Sequence, residues 1–245
     1  MLPRHPAASR PAQKPKRFYE AASAAPMDGG FAVMLDTRTL RTPISTKLIL
    51  PSLALAELVA SEWSAQDGVI DYAAMPATRL AYTVVDRLDG ARAATAAEIA
   101  RQADADQLCY FAEAPASLTE RQEARWGPML DWAADTLDLR FERATGVLHR
   151  PQRQSTLDGV EALALALDDF ALAGLALAAS LFTSAVLALA LQRGALSGEQ
   201  AFDLSRLDEA FQEEQWGIDA EAAERTARLR AEAAMLDRWF RALGG

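Results

Sequence analysis

The chain has 245 residues, half of them apolar and about a quarter charged, which is the composition of a folded globular protein with ample material for a core. A formal charge of −9 argues against nucleic acid as a partner, because phosphate binding needs a basic face. The single cysteine, Cys109, excludes an internal disulfide; it sits in the apolar run Leu108-Cys109-Tyr110-Phe111, where a packed, inert thiol is expected.

Residues 1–16 read as a disordered basic tail. Arg4, Arg10, Lys14, Lys16 and the adjacent Arg17 face no acid, and four prolines exclude a regular helix. All 34 acids therefore fall on the remainder, against 20 of the 25 bases. The tail lacks the apolar stretch of a signal peptide and the amphipathic helix of a transit peptide, so a cytoplasmic location is expected. Residues 17–76 read as a small β-rich domain. Strands are expected at 31–35, at 39–42 after a turn at Asp36-Thr37-Arg38, at 47–50, and at 69–72. Ser52 can cap an intervening helix through Gln66.

Residues 77–245 read as a larger all-α domain, giving an α+β fold overall. Pro76 can open a helix to Leu88, and a second is expected over 91–107. Ser117 with Glu120 has capping-box spacing, and the helix it opens is expected to break at Gly127-Pro128. Ser155-Thr156 can start another, and Ser197 with Gln200 repeats the capping-box pattern. Residues 170–191 carry no charge and are long enough to span a bilayer. Their alanine content, the polar breaks at Ser180, Thr183 and Ser184, and the entrance acids Asp168 and Asp169 favour one or two buried helices, broken near Ser180, over stable membrane insertion. The last helix, over 219–243, carries Ala222, Thr226, Leu229, Ala233, Leu236, Phe240 and Leu243 as one stripe.

Few residues offer chemistry. The three lysines follow no glycine-rich loop, and neither GxGxxG nor GxSxG occurs. His5 lies in the tail, and His149, before Arg150-Pro151, has no carboxylate at ligand spacing and is expected in a surface or turn role. What remains is the acidic segment 207–217. On a helix, Glu209, Gln212, Glu213 and Trp216 share one face, while Leu207 and Phe211 point to the core. A carboxylate metal site at Glu209 and Glu213 lacks the histidines such bundles use. A solvated face and a charged, aromatic docking patch are the other readings, and spacing does not separate them.

Several pieces recur in order through the chain: Arg17-Phe18-Tyr19, Gly30-Phe31, Leu35-Asp36 with Arg38, Thr42-Pro43, Glu62-Trp63 with Gln66, Ile70, and Met75-Pro76-Ala77-Thr78. Leu108-Cys109-Tyr110, Gln122 with Trp126 and Pro128, Trp132, and Leu207-Asp208-Glu209 through Gln212 to Trp216-Gly217 complete the set. In these the sequence resembles the ATP synthase assembly chaperones that receive the free alpha subunit of the F-one sector. The resemblance implies a two-domain α+β fold, no enzymatic activity, no cofactor, and protection of unassembled alpha subunit until beta subunit replaces the chaperone. A eukaryotic member would sit in the mitochondrial matrix. It also implies that the acidic residue of the Leu-Asp-Glu motif, Glu209, is important, and makes Asp208, Glu209, Gln212, Glu213 and Trp216 the candidate partner-binding residues. Thr37, Phe111 and Gly127 depart from the pattern, where glycine, arginine and an acid are expected. A carboxylate-dependent metal enzyme and a scaffold without a client are the competing readings, and nothing demands more than a monomer.

Overall fold

A computed structural model describes residues 14–244. It has a small sheet region near the N-terminus followed by ten helices among the described residues. The sheet is built on a hairpin, β1 (Ala22–Met27) and β2 (Gly30–Leu35), paired antiparallel with Ala22 opposite Leu35 and Met27 opposite Gly30. The sequence pattern did not predict β1, since Ala-Ser-Ala-Ala-Pro-Met lacks β-branched residues. It survives as an edge strand, where Pro26 forfeits no inner ladder bond. Gly30 has φ +148°, and a Cβ there would come within 2.4 Å of the Leu50 carbonyl oxygen, so β2 can approach the next strand only as glycine.

The short β3 (Arg38–Thr39) and β4 (Ile49–Leu50) pair with β2. The turn at Asp36 is left-handed, and its carboxylate accepts from the backbone amides of Glu20 and Ala21. Helix α1 (Leu53–Ser64) opens at Ser52, whose hydroxyl accepts from the Leu55 amide as expected. No strand forms over 69–72. Val69 makes one bridge to Lys16, and Asp71 instead caps a 3-10 turn at Tyr72–Ala74. Lys14 and Lys16, assigned by composition to a disordered leader, are placed. Lys14 pairs with Asp71 at 2.6 Å, and Arg17 donates to the carbonyls of Tyr19, Glu20 and Gln66. The rest of the leader, with His5, lies outside the described residues.

Helix α2 (Pro76–Thr83) begins at Pro76, and its first amides donate to a side chain from α1. The Glu62 carboxylate accepts from the amides of Ala77 and Thr78 and from the Thr78 hydroxyl at 2.7–2.8 Å. The helix passes into a π-helical stretch at Val84–Leu88 before α3 (Arg92–Ala103). The second helix stops short of Gln107 because Asp106 caps a new 3-10 turn and, fully buried, also accepts from the Ser184 hydroxyl and the Val186 amide at 3.0 Å.

Helix α4 (Ala116–Leu137) corrects two expectations. It starts behind Pro115, so Ser117 lies inside the helix with no capping box. It also runs unbroken through Pro128: the proline removes one rung of the ladder, but Trp126, Gly127, Met129 and Leu130 are buried around it and hold both halves to the core.

A two-stranded parallel pair, β5 (Tyr110–Phe111) with β6 (Ala144–Thr145), was not anticipated; strands this short carry no period to read. Helix α5 (Gln154–Leu165) follows. The uncharged run then forms α6 (Asp169–Phe182) and α7 (Ala185–Gln192), divided by Thr183 in a left-handed conformation and by Ser184, which caps α7. The break lies three residues beyond the expected Ser180. Seven of the eight residues of α7 are buried, which explains the missing charges, and no helix among the described residues is long and apolar enough to cross a membrane. Helix α8 (Gly198–Ser205) has the capping box expected of Ser197 and Gln200. Helices α9 (Leu207–Trp216) and α10 (Ala220–Leu243) complete the chain. The buried apolar residues form one cluster from Tyr19 to Phe240, shared by the sheet and the helices.

Candidate functional site

Helix α9 joins α8 almost directly, at Arg206, and is held by α4 and the 107–109 turn. Trp126 donates its indole N–H to the Leu204 carbonyl at 2.9 Å, and Gln107 donates to Ser205 at 2.8 Å. Leu207 is the only buried residue of the helix. Asp208 and Glu209 occupy its first turn, where the helix dipole favours negative charge.

Asp208 stands apart from the other four candidate residues of the helix. Glu209 and Glu213 do lie together, but Arg206 stands between them, donating to one carboxylate oxygen of each at 3.2 Å. The guanidinium replaces the repulsion expected of a bare pair, and it fills the position a divalent cation would need. Asp208 points the other way. It is half-buried and accepts from the Gln122 side chain at 2.7 Å, which in turn accepts from the Ala112 amide. Burial pushes its carboxyl above the ordinary aspartate range; the Gln122 hydrogen bond acts against this, and the neighbouring Glu209 charge adds to it. Gln212 is exposed, and Trp216 is 87% exposed at the end of the helix.

Phe211 departs from expectation. It lies half-buried outside the core, under the Arg121 guanidinium, which is 5.1 Å from the ring centre. Arg121 also makes two hydrogen bonds to Glu214, at 2.7 and 2.9 Å. Tertiary partners thus take up Phe211 and Glu214 and leave Gln212 and Trp216 to solvent.

Two clefts meet at Asp208. The larger, about 790 Å³, lies between α9 and the β5–β6 pair, with Tyr110, Glu113 and the loop around Val147 on its walls. The smaller, about 420 Å³, is lined by Tyr110, Asp208, Glu209 and Gln212. Glu213 and Trp216 line neither. His149 forms the outer latch of the larger cleft. One ring nitrogen lies 3.1 Å from the Tyr110 hydroxyl and the other 3.2 Å from an Asp104 oxygen. That places it in the surface role expected for it, although its carboxylate partner is remote in sequence. Cys109 is buried behind this wall, and burial pushes its thiol well above the ordinary range.

Residues 16–134 match the family model described as ATP12 chaperone protein. The fold matches the crystal structure of Atp12 from Paracoccus denitrificans with a TM-score of 0.85 and 37% identity, over 93% of this chain and 97% of that one. The chain belongs to the ATP12 chaperone family. A second solved structure, the Atu1473 protein of Agrobacterium tumefaciens, aligns with a TM-score of 0.87 and 39% identity over 94% of this chain and 86% of its own. The mitochondrial protein atp12 of Schizosaccharomyces pombe is 23% identical over 231 residues, 89% of this chain and 79% of that protein.

Membership in the ATP12 family fits the architecture already described, and the matched region ends within α4, before α9. Sequence spacing missed Arg206, Arg121 and the loop 146–149. Arg206 carries a readable cue, since it stands three residues before Glu209 and seven before Glu213. Arg121 and the loop reach α9 only through the tertiary fold.

Proposed function

We propose that the protein is an assembly chaperone of ATP synthase that binds the free alpha subunit, prevents its aggregation, and gives it up when the beta subunit takes its place. Membership in the ATP12 chaperone family carries this reading. The partner-binding surface is α9, with Asp208, Glu209, Gln212, Glu213 and Trp216 as its contact residues. Two properties of that surface support the assignment. Its carboxylates are partly solvent-exposed and paired with a neighbouring arginine, so a basic client group can compete for them without a large desolvation cost. Trp216 supplies an exposed aromatic anchor beside them. A modest, mixed surface of this kind suits a client that must later be released.

The protein acts by binding, without a catalytic step, and in a bacterial cell it works in the cytoplasm. The metal-enzyme reading loses ground to Arg206, whose guanidinium bridges Glu209 and Glu213 and offsets one of their two negative charges. Co-expression with separate alpha and beta subunits, followed by pull-down and a light-scattering aggregation assay, tests the proposal. Capture of alpha with suppressed aggregation is expected. Capture of neither subunit, or of beta alone, overturns it.

A further inference from the structure

Among the described residues, the most exposed large hydrophobic one is not on α9. Val147 is 96% exposed and its neighbour Leu148 is 83% exposed, on the loop that follows β6. Two adjacent apolar side chains held out in water gain nothing for the fold, yet the loop that carries them is fixed at both ends. Gly146 starts it in a left-handed conformation, φ +83°, and its amide donates to the Phe111 carbonyl at 2.8 Å. His149 ends it through its contacts with Tyr110 and Asp104, and the Gln152 amide donates to the other Asp104 oxygen at 2.8 Å. A loop pinned this way presents a rigid tip, and rigid apolar tips lose little entropy on binding.

The loop and Asp208 both line the larger cleft. Across the two clefts that meet there, the lining includes the carboxylates of Glu113 and Asp208, together with Glu209, whose charge Arg206 already shares; His149 is the one basic side chain among them, and there is no lysine or arginine. The apolar contribution comes from Tyr110, Phe111, Val147 and Leu148. Charge and shape together therefore call for an occupant that is apolar along one side and cationic at its centre.

We infer that this groove is the seat for an exposed segment of the client chain, with apolar side chains packing on Val147 and Leu148 and an arginine or lysine directed at Asp208. The inference rests on the chaperone reading of the adjoining helix and adds a second contact region, contributed by the β6–α5 loop, to the surface proposed on α9. Because both loop side chains already face water, replacing them leaves the core untouched.

The test uses the full chain and its Val147→Ser, Leu148→Ser double variant. The first readout is the fluorescence anisotropy of a labelled peptide alternating leucine and serine about a central arginine, with control peptides carrying glutamate for the arginine or serine for every leucine. The second is protection of free alpha subunit from aggregation. The arginine peptide is expected to bind the wild type, more weakly as salt rises; both controls should fail, and the double variant should lose roughly tenfold in affinity along with client protection. Equal affinity of the double variant, equal binding of the glutamate peptide, or no binding of the arginine peptide overturns the groove assignment. If the wild type protects alpha subunit and the double variant protects it equally, the groove assignment falls and the chaperone reading stands. If the wild type gives no protection, the chaperone reading falls. Sedimentation of the chain alone as a dimer that the double variant dissociates shows a second copy in the groove, which also overturns the inference.

Discussion

At the scale of single residues, charge in α9 is balanced differently at each carboxylate. Glu209 shares Arg206 with Glu213, so Glu209→Lys places two cations side by side at a half-exposed position without opening the core. The variant should fold with a melting temperature close to wild type and lose protection of alpha subunit; unchanged protection in the aggregation assay removes Glu209 from the site. Asp208 is more enclosed, and burial raises its carboxyl above the usual range. The sign follows from linkage. A raised folded-state value means that charging Asp208 costs the fold, so its contribution to stability is full below the ordinary aspartate range and is lost as pH rises through the raised value. Binding a cationic partner needs the charged form, so affinity should run the other way. On acidification it should begin to fall at a higher pH than an ordinary aspartate would give, and Asp208→Asn should abolish that shift. A pH titration of client affinity by anisotropy reads both effects.

At the scale of elements, several helix starts are set by short-range chemistry. Ser52, Ser184, Ser197 and Asp219 each cap the helix that follows through their own side chains. The failures have equally local causes. Ser117 and Glu120 have capping-box spacing, but Pro115 precedes Ala116 and the helix starts two residues too early for the serine to serve. Glu62 caps α2 from another helix, a role that no window around Pro76 could reveal. Packing of α8 on α10 depends on a single glycine. A Cβ on Gly198 would lie 2.2 Å from the Ala233 carbonyl oxygen. Gly198→Ala must therefore push the two helices apart, at a cost of about 2 kcal/mol or more, and should lower the urea midpoint without changing the secondary structure seen by circular dichroism. Trp216→Ala, at an exposed helix end, should leave that midpoint within error while weakening client capture.

At the scale of the whole molecule, one buried cluster runs through the sheet region and the helices. Helix α1 carries the connection: it packs on β1 and β2 on one side and on α10 on the other, and the Ser52 hydroxyl donates to the Ala242 carbonyl at 2.5 Å. Thermal unfolding followed by far-ultraviolet circular dichroism and by tryptophan fluorescence should give coincident single transitions, with Trp63 near the sheet and Trp239 in α10 reporting together. Two separated transitions would show that the residues before Pro76 unfold on their own.

Composition and periodicity by themselves determined the fold class, the burial of the uncharged run and the acidic helix, because these depend on side-chain type and on repeats of two or 3.6 residues. Ordered motifs determined the family. The tertiary structure decided everything at the surface of α9. Arg121, Gln122 and the loop around Val147 lie roughly 60 to 90 residues from Asp208 along the chain, and only folding brings them to it. Spacing placed Glu209 and Glu213 on one face but could not show Asp208 turned into a cleft, Phe211 covered by an arginine, or Arg206 holding the pair. A helical period says which residues share a direction; what meets them there is fixed by the packing of distant elements.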